Sequence, residues 1–178
     1  MSCKDSRPKE KGGNNMFKKL FSKKESVEQL LAPINGQVIK IEEVPDPVFS
    51  GKMMGDGIAI LPEEGLVVSP IDAEVIQVFH TKHALGLRTK NGIELLIHIG
   101  LETVNLKGEG FEVHVAEGQR VKAGDKLVTF DIDFLKSKAP SIVTPIVITN
   151  GELVEKLEKT NSTQAKINET QVMSVYLK

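Results

Sequence analysis

HTKHALGLRTKNGIELLIHIGLETVNLKGEGF, His80 to Phe111, is the stretch whose reading decides the fold. Asn91-Gly92 separates two strand-like runs and is a strong hairpin turn signal. With Asn91 and Gly92 as a two-residue loop, Lys90 faces Ile93, His98 lies opposite Leu85, and His83 is its diagonal neighbour. Diagonal residues on one face sit roughly 7–8 Å apart, within reach of two imidazoles. A four-residue loop, Thr89 to Gly92, places His83 directly opposite His98. A one-residue slip sends the histidines to opposite faces unless a bulge restores the phase. Within the second run Ile93, Leu95, Ile97 and Ile99 alternate with Glu94, Leu96, His98 and Gly100. The first set reads as core, which leaves His98 on a face open to solvent or to a partner.

Outward from the hairpin the chain reads as short strands punctuated by Gly, Pro and Asp. Strands are expected at Gly36–Glu42, Gly57–Leu61, Gly65–Ser69, Glu74–His80, Ala84–Thr89, Ile93–Ile99, Phe111–Val115, Lys126–Asp131, Ile142–Thr149 and Gln171–Leu177. Such spacing predicts an all-β fold, an antiparallel sandwich or partly closed barrel. Short helices are expected at Ser26–Leu31, Ile132–Ala139 and Glu152–Glu158. Residues 1–15 are polar and read as a disordered extension. Residues 16–31 form a basic amphipathic segment, and 32–178 the folded domain. In that segment Phe17, Leu20 and Phe21 have helical spacing, with Lys18 and Lys19 among them. It is a candidate for an anionic membrane surface, although so short a helix is marginal in water.

The 178 residues carry a net charge of −1, unevenly placed. Residues 1–24 hold eight Lys/Arg against two Asp/Glu, net +6, so the remainder carries −7. An acidic body argues against nucleic acid as the main partner. The single cysteine, Cys3, excludes an internal disulfide and points to a reducing compartment. With no apolar run of transmembrane length and no apolar signal core, the expected location is the cytoplasm.

Two facing imidazoles on a sheet admit three uses. One is phosphoryl transfer, with one histidine as covalent acceptor and the other donating to the phosphoryl oxygens. Another is a metal site, for which two histidines are too few without further ligands. The third is a pair of partly buried histidines that satisfy hydrogen bonds. Gly55-Asp56-Gly57 precedes a strand and reads as a turn, not a phosphate cradle. Glu117–Asp125 is similar to lipoyl and biotinyl domains but has no lysine in a matching turn, so it reads as structural. His80 and His114 read as structural or solvated.

Gly92–Val104 (GIELLIHIGLETV) resembles the signature of the glucose-type enzyme IIA domain of the bacterial sugar phosphotransferase system. Thr81–Ala84 (TKHA), Leu106–Phe111 (LKGEGF), Pro45–Phe49 (PDPVF) and Gly55–Ile60 (GDGIAI) match the same family. The resemblance implies a sandwich of the hybrid type. It implies that His98 accepts phosphate from the phosphohistidine of HPr and passes it to a cysteine on a sugar-specific IIB domain. His83 would hold the phosphoryl group, and Thr81 would orient His83. Val48, Phe49, Phe79, Leu85 and Leu96 would form an apolar docking rim, with Asp46 and Glu102 flanking it. No metal is required for this chemistry. A second implied role is regulatory: the unphosphorylated face binds other enzymes or transporters, with zinc bridging His83, His98 and a partner carboxylate. Leu85 and Leu96 stand where enteric members often have phenylalanine, and Glu102 where aspartate is common, which bears on partner preference. Fused IIB and IIC domains are not expected, so the chain reads as a stand-alone IIA or one cut from a longer chain.

Overall fold

Alternation along the His98 strand organises the molecule. Ile93, Leu95, Ile97 and Ile99 are buried in the main core, while Leu96 joins a second, smaller apolar cluster on the other face. The structure is a computed structural model that describes residues 26–178. The strands are β1 (Val27–Leu31), β2 (Gly36–Lys40), β3 (Asp56–Pro62), β4 (Leu66–Val68), β5 (Ala73–Val78), β6 (Ala84–Thr89), β7 (Glu94–His98), β8 (Phe111–Val113), β9 (Arg120–Val121), β10 (Lys126–Phe130), β11 (Thr144–Ile148), β12 (Val154–Lys159), β13 (Gln164–Ala165) and β14 (Gln171–Leu177). Two short helices, α1 (Pro47–Ser50) and α2 (Ile132–Lys138), are capped by Asp46 and Asp131.

All strand pairs are antiparallel. An eight-stranded sheet has the order β13-β2-β3-β11-β7-β6-β5-β9, and two three-stranded sheets are β4-β10-β8 and β1-β14-β12. Leu30, Val67, Leu87, Ile97, Leu127 and Val175 come from all three sheets and are fully buried together, so the main core lies between them. Each such side chain contributes about 1.5–3 kcal/mol by leaving water. The result is the expected all-β antiparallel sandwich. No helix among the described residues is long and apolar enough to cross a membrane.

The hairpin closes differently from either expected register. Thr89 pairs with Ile93 through Thr89 N–H to the Ile93 carbonyl (2.8 Å), and Gly92 N–H donates to the Thr89 carbonyl (3.0 Å). The loop is therefore Lys90-Asn91-Gly92, three residues. Only Gly92 is left-handed (φ 92°), as a turn followed by a one-residue glycine bulge requires. Paired numbers sum to 182: Ala84 faces His98 and Leu85 faces Ile97. Leu85 is thereby turned into the main core.

Two expected helices are strands. Val27–Leu31, assigned by sequence to the N-terminal segment, pairs with β14 and buries Leu30 in the core. Val154–Lys159 forms the opposite edge of that sheet, after a 3-10 turn at Gly151–Leu153. The expected extension and the basic amphipathic stretch from Phe17 to Phe21 lie outside the described residues.

In β5 the register shifts between Val75 and Gln77. This bulge breaks the two-residue alternation that a regular strand over Glu74–His80 would keep. Val75 and Val78 pack on the main core, Gln77 is exposed, and Phe79 packs on the second cluster.

Candidate functional site

His98 ends β7, on the face it shares with Leu96. His83 is the last residue of the loop His80–His83, which joins β5 to β6. That loop is closed by Phe79 N–H to the Ala84 carbonyl (3.1 Å) and by Lys82 N–H to the Phe79 carbonyl (2.7 Å). Lys82 is left-handed (φ 59°). His83 thus stands just outside the pleated strand and escapes its strict alternation. This lets the two rings meet although the register has slipped by one. Their centroids are 4.8 Å apart at 81°, and the Ile99 N–H donates to the His83 carbonyl (2.7 Å), tying both to one frame.

Each ring has a defined partner at Nδ1. His98 Nδ1 is 2.8 Å from the Gly100 carbonyl oxygen. A carbonyl only accepts, so Nδ1 carries the proton and the neutral ring keeps its lone pair on Nε2. His83 Nδ1 is 2.7 Å from Thr81 Oγ1, a bond buried from solvent. A hydroxyl can donate, in which case Nε2 of His83 carries the proton.

Burial pushes the His83 pKa down from 6.5 to about 4, and the neighbouring His98 and His80 push in the same direction. His98 is also lowered by burial, against the opposing pull of the Gly100 carbonyl and the Asp46 carboxylate. Near pH 7 both imidazoles are neutral, which lets them sit edge to face without like-charge repulsion.

The surroundings are apolar. Phe49 packs against His98 with centroids 5.0 Å apart and the rings tilted by 58°, and Phe79 lies edge-on to His83 at 5.6 Å. Phe49 and Leu96 are buried members of the second cluster, together with Ala84, Leu101, Val143 and Val147. Of the five expected rim residues, Val48 is exposed (38%) and Phe79 half-buried, while Phe49 and Leu96 form a covered floor. Leu85 is a correction: it is 1% exposed in the opposite core, because the three-residue loop changed its face. Asp46 is half-buried and caps α1 through Val48 N–H (2.8 Å). Glu102 is exposed and left-handed (φ 56°). Asp46 is the carboxylate whose charge acts on His98.

Sequence reasoning missed the Gly100 carbonyl as a partner of His98, the exposed Met53 (75%) and Met54 beyond α1, and most of the floor. One signal for the floor was present. Ile142–Ile148 is apolar or Pro/Thr throughout and buried at every position, and a strand covered on both faces needs apolar partners on both.

Two clefts, of about 270 and 330 Å³, are lined by residues 158–161 with 171–174 and by 110–112 with 129–131. Neither contains the histidines, of which His98 is half-buried and His83 buried. Among the described residues no three His, Cys, Asp or Glu side chains converge as metal ligands. A closed zinc site at His83 and His98 would need ligands from another molecule.

A β-sandwich that holds two neutral, separately oriented imidazoles edge to face beside an apolar cluster defines a class of protein suited to histidine chemistry. Residues 28–154 match the family described as phosphoenolpyruvate-dependent sugar phosphotransferase system, EIIA 1. A PTS system glucose-specific EIIA component of Bacillus cereus is 58% identical over 165 residues, covering 92% of this chain and all of that protein. The corresponding component of Halalkalibacterium halodurans is 52% identical over 169 residues, covering 90% and 98%. The glucose permease IIA structure from Mycoplasma capricolum superposes with a TM-score of 0.75 at 40% identity, covering 84% of this chain and 96% of that one. The chain belongs to the EIIA 1 family of the sugar phosphotransferase system.

Proposed function

We propose that this protein is a cytoplasmic phosphocarrier for sugar uptake, with His98 as its covalent acceptor. The observation that carries the reading is the bond from His98 Nδ1 to the Gly100 carbonyl, which leaves Nε2 as the nucleophilic nitrogen. The Nε2 lone pair attacks the phosphorus of phospho-HPr. A P–N bond to the donor histidine breaks as a P–N bond to His98 forms. In the second step a IIB cysteine thiolate attacks, an S–P bond forms, and His98 regains its lone pair. His83, 4.8 Å away between ring centroids, donates from Nε2–H to the phosphoryl oxygens. Thr81 fixes that tautomer by donating to Nδ1. The chemistry is displacement at phosphorus with charge offset by protein donors, so it requires no metal. Val48 and Phe79, over the floor of Phe49 and Leu96 and with Asp46 and Glu102 at the margin, form the surface that both partners meet. The basic segment from Phe17 to Phe21 is proposed to touch an anionic membrane surface beside the sugar permease.

Incubation with phosphoenolpyruvate, enzyme I and HPr should add one phosphate, located on His98 by peptide mapping. His98→Ala should take none. His83→Gln should still accept but pass phosphate to IIB at least about tenfold more slowly, since a transition-state donor is lost. Labelling of His98→Ala on another histidine would refute the assignment.

A further inference from the structure

The arm that brings Phe49 to His98 leaves the sandwich at Glu42 and returns at Asp56. It contains a 3-10 turn at Ile41–Glu43, then α1, then a turn in which Lys52 (φ 56°) and Gly55 (φ 126°) are left-handed. Lys52 Nζ lies 2.9 Å from Glu42 Oε1 on the outgoing stem and 3.5 Å from Asp56 Oδ2 on the returning stem. Asp56 is held from the other side: its Oδ1 accepts from Gly57 N–H (2.8 Å) and pairs with Lys159 of β12. Charges therefore alternate along Glu42, Lys52, Asp56 and Lys159. The bond to Lys52 holds the Glu42 carboxyl below its usual range, and Glu42 raises Lys52 in return.

An isolated exposed ion pair does little for global stability. Here the consequence is local. Left-handed backbone costs a non-glycine residue energy, and it is kept at the one position from which an ammonium reaches both stems. Between those stems the arm carries Phe49, whose ring packs at a tilt against His98, and Asp46, whose charge acts on it. Val44 and Phe49 of the arm are also buried in the second cluster, and its remaining ties are its own turns, such as Lys52 N–H to the Phe49 carbonyl (3.0 Å) and Met53 N–H to the Val48 carbonyl (3.0 Å).

We propose that Lys52 is a positioning residue for the histidine site: it clasps the two stems of the arm and so keeps the Phe49 ring on His98 and the α1 rim in the shape a partner protein meets. The inference rests on the reading of His98 as phosphoryl acceptor.

Lys52→Asn removes the ammonium and keeps a residue that tolerates left-handed backbone. It should weaken the nuclear Overhauser contact between the Phe49 and His98 rings. It should also raise KM for phospho-HPr about three- to tenfold, with kcat within about twofold of wild type, the pattern of lost uniform binding. Lys52→Arg should restore both. Glu42→Gln, which removes the outgoing anchor, should reproduce the KM rise, and combining it with Lys52→Asn should add nothing further. An unchanged ring contact and KM in Lys52→Asn overturns the proposal. So does a KM rise that Glu42→Gln fails to share, because the lysine would then be touching the partner directly. If the wild-type protein accepts no phosphate, the acceptor reading fails, and the ring contact alone decides whether Lys52 holds the arm.

Discussion

The Gly100 carbonyl and the Thr81 hydroxyl do parallel work: each engages the Nδ1 of one histidine, and neither Nε2 has a partner among the described residues. Thr81 is buried, as is His83 at 4% exposure, so losing the hydroxyl leaves a ring nitrogen unsatisfied in an apolar setting. Thr81→Val should cost about 1–3 kcal/mol in urea unfolding. It should also shift the His83 ring ¹⁵N resonances toward a mixture of tautomers and slow onward transfer, while Thr81→Ser stays near wild type. The hairpin pattern brought the two histidines together in the sequence, and the family resemblance of Thr81–Ala84 added Thr81 and chose among the uses the pair admits. Gly100's carbonyl could not, since every residue has one and only the folded backbone shows where it points. Asp46, whose charge acts on His98 across 52 positions of sequence, was reached only through the family resemblance of Pro45–Phe49.

At the scale of elements, the count of residues in one loop decides which leucine faces the core. Gly92 alone carries the positive φ that closes the three-residue turn, so Gly92→Ala should cost about 1–2 kcal/mol, read as a lower urea midpoint at constant slope. The Asn-Gly pair announced a hairpin but not its length, and an error of one residue moved Leu85 from the rim to the core. Strands with strong alternation or buried runs, such as Ala84–Thr89 and Gln171–Leu177, were legible end to end. Val27–Leu31 and Val154–Lys159 were not. VEQLL and VEKLEK carry apolar residues three apart, a helical period, and pairing with β14 overrides that local preference. Arg120–Val121 and Gln164–Ala165 are too short to leave a pattern.

Over the whole molecule, acid should act first through the site. His83 is lowered from 6.5 to about 4, so the unfolded chain binds its proton more readily than the native one. The stability this contributes is present in full above about pH 6.5 and is lost as pH falls toward 4. Its full extent is about 3 kcal/mol at 1.36 kcal/mol per unit. Thermal unfolding should therefore show a midpoint falling between pH 6.5 and 4.5, and His83→Gln should flatten that part of the curve. The all-β class and the main core were legible because alternation reports burial directly. The second cluster was hidden, because Phe49, Ala59, Ala84 and Val147 lie far apart in sequence and converge only when the eight-stranded sheet assembles.

The bond from Ile99 N–H to the His83 carbonyl has one more consequence. Both nitrogens that would handle the cargo belong to neighbouring strand ends locked to each other, so loading and unloading need no hinge, gate or refolded segment. On the proposed chemistry, throughput would be paced by how often two surfaces collide and separate, and thicker solvent would slow it in proportion.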